Sequence, residues 1–504
     1  MNSTMLRLIA AGLCTAAVLC SLASCADPDK PEGPADTGRT EETALIEPTF
    51  EDADFDGKTF TILSAQDEAT DFIDHYIDNE ERTGEPINDA VVERNTDTEE
   101  KYNVDIVRRS AGVNYANQAA KAGTVDFELC YDWGFRLVPS ALEGIFYDFN
   151  QMPVIDQSRS YWAPSVHDDL TVADKMLITT CDISMNRISW AYFLFFNKRI
   201  MDDLHIEYPY ANVDSNTWTI DTFLTMVIGS EQDDGDTIWS PSDRYGFASS
   251  ASDCLETLVD SVGDPGTIKN DDGTYTLNIY NEKLTNIFSQ FNKRMQTSNA
   301  FGSFSIEEWT AGMDISRFDS IYKAARHATF AEGHTMFGEY SMDIAIEFSD
   351  MTDKYGVVPK PKYDSAQADY YHTIDYCAPM FAVPKQADTD FVGTVMEFMA
   401  YRSEQLLLPA FYEQTIKTKN MSDEEGRDER MLDIIRDSVH YSWTQLYYQQ
   451  IFDPNGASWD PCYTIRHEML ASGNFASVYK RYKSAAESSI EDIYDRILAL
   501  DVNK

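Results

Sequence analysis

Apolar residues recur along this chain in two rhythms. Lys58–Ser64, "KTFTILS", reads as a strand. From Asn88, placed as the N-cap, Ala90, Val91, Arg94, Thr98 and Tyr102 recur near one helical face. Asn103 tolerates the left-handed backbone at that helix's end, and residues 104–107 and 125–130 resume as strands. Strand, helix and strand at this spacing predict a parallel α/β unit. Residues 174–184 ("DKMLITTCDIS") and 189–200 ("SWAYFLFFNKRI") predict buried strands. Thr219 can cap a helix whose stripe is Ile220, Phe223, Leu224, Val227 and Ile228, with Trp218 as the entry staple. "YGVVPKP" and "MFAVPK" are short strands ended by prolines. Beyond them the pattern turns helical, with stripes around Phe391–Met399, Met431–Ile435 and Ile490–Leu498.

The N-terminus follows a different logic. Arg7 precedes an apolar run over residues 8–19, too short to span a bilayer as a helix. The run ends in small residues and a cysteine, Leu22-Ala23-Ser24-Cys25, an order that resembles the bacterial lipobox. Cys25 is accordingly the expected lipidation site, residues 1–24 a lipoprotein signal peptide, and the protein lipid-anchored on the extracytoplasmic face of a membrane. Residues 25–54 carry four prolines, many acids and few large apolar groups, which predicts a disordered acidic tether. The folded part therefore begins near Phe55.

Composition narrows the class. Of 504 residues, 43% are hydrophobic and 12% aromatic, a globular composition. So long a chain implies two lobes or domains. The formal charge of −45 argues against nucleic acid as a partner, since a phosphate backbone would be repelled. Besides Cys25, the mature chain would carry Cys130, Cys181, Cys254, Cys377 and Cys462, odd in number and far apart, which is no disulfide framework. No metal-ligand spacing, phosphate loop, dinucleotide fingerprint or nucleophile elbow occurs, so no metal, cofactor or catalytic residue is expected.

Several segments, in order, resemble the extracellular solute-binding proteins of ABC importers, family 1, the maltodextrin-type binders. They are "GEPINDAVVERNTDTEEKYNVDI", "DFELCYDWGFRLVPSALEGIFYDFN", "FFNKRIMDDLHIE" with "NTWTIDTFLTM", "ATFAEGHTMFGEYSMDI" before "YGVVPKPK", and "FAVPKQADTDFVGTVMEFMAY". "TWTIDTF" departs from the pattern by lacking an acid directly after its Trp, and "HTMFGEYSM" by its bulky Phe337, Glu339 and Tyr340. The resemblance implies an α/β, two-lobe periplasmic-binding-protein-like fold with hinge strands and a helical C-terminal region. It implies lobe 1 over residues 55–180, with 337–376 returning to it, and lobe 2 over 181–336, with 381–504 returning to it. Crossings are expected near residues 178–182, 336–338 and 377–381.

The function so implied is capture of a carbohydrate or oligosaccharide between the lobes by a monomer that performs no chemistry and hands its ligand to membrane permease subunits. Alternatives are a peptide or polyamine ligand, a lipid-anchored glycosidase, or a surface adhesin. Sugars present flat C–H faces ringed by hydroxyls and call for aromatic rings beside carboxylates or amides. Such groups near strand ends and crossings are Gln66, Asp67, Asp132, Trp133, Trp162, Asp182, Ser184, Glu339, Tyr340, Asp375 and Tyr376. Tyr161 and Trp190 lie nearby with core packing as an equal or better account. Trp443, Tyr447 and Tyr448 fall among the C-terminal helices, where either packing or closure over a ligand fits.

Overall fold

Two separate sheets organise the protein. A computed structural model describes residues 48–64, 76–248, 258–259, 261–263, 266–302, 304–318, 321–342, 348, 350–375, 377–416, 421, 425–453, 465, 468–469 and 472–501. The chain divides into two units, Met1–Glu51 and Asp52–Lys504, and the second carries both sheets. Cys25, Gln66, Asp67 and Tyr376 lie outside the described residues.

The first sheet follows the expected α/β logic. Strand β1 (Lys58–Ser64) leads to helix α1 (Pro86–Tyr102) and to β2 (Val104–Ser110), which pairs with β1 in parallel. The helix starts three residues earlier than Asn88 as N-cap would set it, with Glu85 as the N-cap, because Pro86 fits the first turn. Asn88 instead accepts the backbone N–H of Thr83 at 3.0 Å. At the other end Asn103 takes the left-handed conformation, φ 50°. Helix α2 (Val113–Ala122) follows, then β3 (Leu129–Trp133), parallel to β1, and helix α3 (Gly134–Leu142). The strand expected at 125–130 is thus shifted towards Trp133.

Helix α4 (Pro164–Leu170) precedes a passage over 174–192 that is irregular except for one helical turn at Asn186–Ser189. Residues 174–184 were expected to form a strand, but they hold only isolated bridges, Lys175 to Val172 and Thr179 to Phe381. The passage leads into β4 (Phe193–Asn197), buried at every position, which opens the second sheet. Helix α5 (Ile220–Val227) is capped as expected by Thr219, whose hydroxyl accepts Thr222 N–H. Trp218 packs on Phe223 (centroids 6.1 Å), the two positions of a hydrophobic staple, and its indole N–H bonds Pro359 O at 2.7 Å. The chain continues through β5 (Tyr245–Ala248), a hairpin of β6 (Thr267–Lys269) and β7 (Tyr275–Leu277), helix α6 (Glu282–Thr297), β8 (Phe301–Gly302), β9 (Thr335–Tyr340) and β10 (Tyr355–Val358). Among the described residues the second sheet runs β10-β4-β9-β5-β8. Its core is aromatic: Phe195 meets Phe193, Phe330, Tyr340, Phe348 and Tyr355.

The lobe boundaries differ from those the resemblance implies. Residues 337–376 do not return to lobe 1: β9 and β10 flank β4, pairing Phe193 with Tyr340 and Tyr355 with Asn197. The crossing expected near 336–338 is therefore a central strand of lobe 2. Phe337 points the reason, since it needs the ring neighbours Phe196, Trp218 and Phe223 that only this sheet supplies. The return comes after β11 (His372–Thr373), where Asp375 N–H bonds Trp190 O and the chain enters β12 (Pro379–Ala382), antiparallel to β3 in the first sheet. Nor do residues 381–504 belong wholly to lobe 2. Helix α7 (Thr389–Ile416) packs along α1 and sets Phe391 on Phe60 (5.6 Å) at one end. Leu407, Ala410 and Phe411 at its other end join the core of the second sheet. At about 1.5 Å per residue this helix is roughly 42 Å long and forms a third connection between lobes. Helix α8 (Arg427–Asp437) does dock on lobe 2, where Asp428 takes Lys198 Nζ at 3.1 Å, Tyr210 O–H at 2.6 Å and Val357 N–H at 3.0 Å. Strand β13 (Val439–His440) pairs β11, short helix α9 (Trp443–Leu446) follows, and α10 (Phe475–Ala499) ends the fold. Among the described residues no helix is long and apolar enough to cross a membrane.

His372 marks the crossing with a pH-dependent bond. Its Nε2 accepts the Lys360 backbone N–H at 3.0 Å, so Nδ1 carries the proton and faces Ser438 Oγ at 2.8 Å. Burial, helped by Lys360 and His440, holds its pKa well below the ordinary value. The folded state thus keeps a neutral ring while the unfolded chain takes up a proton below about pH 6.5. Stability from this site is present above that pH and is lost as pH falls, by up to about 1.4 kcal/mol per pH unit. His372→Gln is expected to flatten the decline in urea stability between pH 7.5 and 5; an unaltered slope would refute the assignment.

Candidate functional site

Strand β3 ends beside Pro379, where the chain coming back from the second sheet enters β12. Trp133 closes β3 opposite Pro379. Its ring lies 5.7 Å from that of Phe135, and Phe135 lies 6.4 Å from Tyr448. The neighbouring Tyr447 stacks on Trp443 (5.2 Å, 24°), and Trp443 stacks on Tyr275 of the hairpin (4.4 Å, 13°). Gly134 lets α9 come close: a Cβ there would meet Leu446 Cδ1 at 2.9 Å and Met380 Sδ at 3.0 Å. A continuous aromatic strip therefore runs from lobe 1 through the C-terminal segment to a hairpin rooted in lobe 2.

Two donors of this strip, Trp133 Nε1 and Trp443 Nε1, are buried without a hydrogen-bond partner, as is the hydroxyl of Tyr441, two residues before Trp443. Each such group costs about 1–3 kcal/mol when left unpaired, so each calls for an account. Burial first, and the Asp182 carboxylate next in that sense, push the Tyr441 hydroxyl upward, so it keeps its proton and can donate. The Arg136 guanidinium lies 4.4 Å from the Trp133 ring centroid, a cation–π contact.

The residues expected to touch a ligand fall into different surroundings. Asp132 sits beside Trp133 but is turned inward, accepting Val113 N–H at the start of α2 and Trp133 N–H, both at 2.8 Å. Asp182 is buried and bound by Arg187 through Nη2, at 2.6 and 2.7 Å, and through Nε. Burial raises its pKa although Arg187 opposes the shift. Ser184 is fully buried on Thr180 Oγ1 and Cys181 O. Trp162 donates to Glu397 at 2.6 Å, and Tyr161 to the same carboxylate at 2.7 Å, which pins this segment to α7. Glu339 pairs with the buried Lys360 at 2.6 Å. Tyr340 belongs to the lobe 2 core, with its hydroxyl 3.0 Å from Thr329 Oγ1. Asp375 accepts Cys377 N–H at 2.6 Å at the crossing. Of the expected set, Trp133 stands at the end of β3 and Asp182 and Asp375 on the passages between the sheets, while Trp162, Ser184 and Tyr340 are sunk in packed interior.

Tyr441, Trp443 and Tyr275 were not singled out as a group by sequence. Tyr275 follows the turn residues Asp271, Asp272 and Gly273, and that turn signal could have marked a hairpin. Its stacking partner lies 168 positions away, beyond any sequence pattern. The free cysteines Cys130 and Cys181 are buried and Cys377 is half-buried.

No protein-family model matches the sequence, and no curated protein matches it. Solved structures do share the architecture. A cyclic α-maltosyl-1,6-maltose binding protein from Arthrobacter globiformis superposes with TM-score 0.52 at 11% identity, over 88% of this chain and 99% of that one. The maltose/maltodextrin-binding domain MalE from Bdellovibrio bacteriovorus, bound to maltotriose, gives 0.50 at 12%, over 86% and 100%. The sugar-binding protein MalE from Xanthomonas citri gives 0.50 at 12%, over 87% and 97%. At such identities the likeness speaks for architecture: the chain has the two-lobe α/β fold of solute-binding proteins.

Proposed function

We propose that this chain is the substrate-binding lipoprotein of an ABC importer and that it captures a carbohydrate between its lobes. The observation that carries the reading is the row of aromatic rings from the end of β3 to the β6–β7 hairpin, together with the buried, unpartnered donors of Trp133, Tyr441 and Trp443. Sugar rings offer C–H faces to aromatic groups and hydroxyl oxygens to N–H and O–H donors, which is the complement of Trp133, Trp443 and Tyr441. Trp133 stays from the ligand set expected from sequence, and Tyr441 and Trp443 replace Trp162, Ser184 and Tyr340. A ligand that touches both lobes favours closure, because only closure brings the two sets together. Lipidation of Cys25 and the acidic tether belong to the same reading, as does docking of a monomer on permease subunits.

A thermal-shift screen of maltotriose, other oligosaccharides, peptides and polyamines tests it. A carbohydrate at a hundred times its dissociation constant should add about 2.7 kcal/mol of stability. Trp133→Phe, which keeps a ring and removes the N–H, should bind that sugar about tenfold more weakly, a loss of about 1.4 kcal/mol, with an unchanged melting temperature when ligand-free. Stabilisation by peptides or polyamines alone would overturn the carbohydrate class, and release of reducing ends from an oligosaccharide would overturn the binding-protein reading in favour of a glycosidase. Cys25→Ala should move the chain from the membrane to the soluble fraction; retention with the membrane would overturn the anchor.

A further inference from the structure

The hairpin β6–β7 is rooted in one lobe and makes its outer contacts on the other. Its base continues into α6, whose Leu284, Ile287, Phe288 and Phe291 lie in the core of the second sheet. Beyond that base, Lys269 Nζ donates to the backbone carbonyls of Asp168 (3.2 Å) and Thr171 (3.0 Å) at the C-terminal end of α4. The Tyr275 hydroxyl donates to Thr171 O at 3.3 Å. Helix α4 lies with lobe 1: Tyr161 and Trp162 just before it donate to Glu397, near the end of α7 whose Phe391 packs on Phe60 of β1. On its inner side the hairpin holds α9: the Thr267 and Thr444 hydroxyls are 2.8 Å apart, and the Tyr275 ring lies on Trp443.

We infer that the β6–β7 hairpin is an interlobe latch that positions Trp443 of the candidate site, with Lys269 and Tyr275 as its positioning residues. A two-stranded ribbon is marginal by itself in water, so this one owes its order to the surfaces it docks on. Free carbonyls at a helix's C-terminal end carry partial negative charge, and an ammonium group there is favoured. Lys269 fastens the tip of the latch to lobe 1 in that way, while Tyr275 fixes the plane of the Trp443 indole. Opening of the lobes requires the Lys269 and Tyr275 bonds to break, and their loss frees the Trp443 edge from its set position. Only the identity of what Trp443 Nε1 meets rests on the carbohydrate reading.

Hydrogen exchange on the ligand-free full chain tests the latch, comparing wild type with Lys269→Met and Lys269→Arg. Lys269→Met should speed exchange at least tenfold in residues 267–277 and also in 443–447, with β1 unchanged. Lys269→Arg, which can still donate to both carbonyls, should stay within twofold of wild type. Unchanged exchange in Lys269→Met overturns the latch, and a loosened hairpin with 443–447 unmoved overturns its hold on Trp443. Should Lys269→Met loosen β1 as well, the arginine variant must restore both segments, and failure to do so also overturns the proposal. Because this readout needs no ligand, it judges the latch separately from the maltotriose binding that tests the carbohydrate reading.

Discussion

Arg94→Ala is expected to destabilise the protein by about 3–5 kcal/mol, the range for breaking a buried charged network. Arg94 is fully buried in α1 and serves four pieces of chain at once. Its guanidinium donates to Tyr76 O at 2.9 Å, Ile77 O at 2.7 Å, Ile183 O at 3.4 Å and Ser403 Oγ at 3.3 Å, and holds Asn95 Oδ1 at 2.8 Å. Ile183 lies on the first crossing and Ser403 on the long helix α7, so one side chain ties lobe 1 to two of the interlobe connections. Burial lowers its pKa to about 10, which still leaves it charged at neutral pH. Truncation strands buried carbonyls and opens a cavity, and both terms add. Arg94→Lys keeps the charge but lacks the planar fork and should fall between the two. Urea unfolding measures the loss; a cost below about 1 kcal/mol for Arg94→Ala would show that the network does not hold the hinge.

Asp182→Ala should cost a similar amount, about 3–5 kcal/mol, because it leaves Arg187 buried without its partner. The pair is short and enclosed, with side-chain exposures of 5% and 12%. The double variant Asp182→Ala with Arg187→Met should recover a large part of the loss, since replacing both partners by apolar groups is often nearly neutral. Equal losses in the single and double variants would place the effect elsewhere. A single variant of normal stability with lost carbohydrate binding would instead restore Asp182 as a ligand contact.

The strands and helices were legible because their signals are local. Lys58–Ser64 forms its strand, Thr219 caps, Trp218 and Phe223 stand at staple spacing, and Asn103 ends its helix as read. The passage at 174–184 was misread as a strand because an apolar run reports burial and not hydrogen bonding, and here Lys175 and Thr179 find only isolated bridges. The lobe assignment failed for a related reason. Nothing in "TMFGEY" says which sheet it will join, and only the ring neighbours of Phe337 and Tyr340 decide that.

Sequence by itself determined the α/β class, the positions of most elements and the placing of an aromatic residue, Trp133, at the end of a strand. These follow from periodicity, caps and turn residues, which act over a few positions. Tertiary structure alone decided which polar groups are left over. Asp132 and Asp182 look as available as Trp133 in the sequence, yet one is consumed by the N–H groups of Val113 and Trp133 and the other by Arg187. Tyr441 and Trp443 look like ordinary helix-region aromatics, yet they keep donors that nothing satisfies. A hydrogen bond is spent on whichever partner lies within about 3 Å, and that proximity is set by packing between residues tens to hundreds of positions apart.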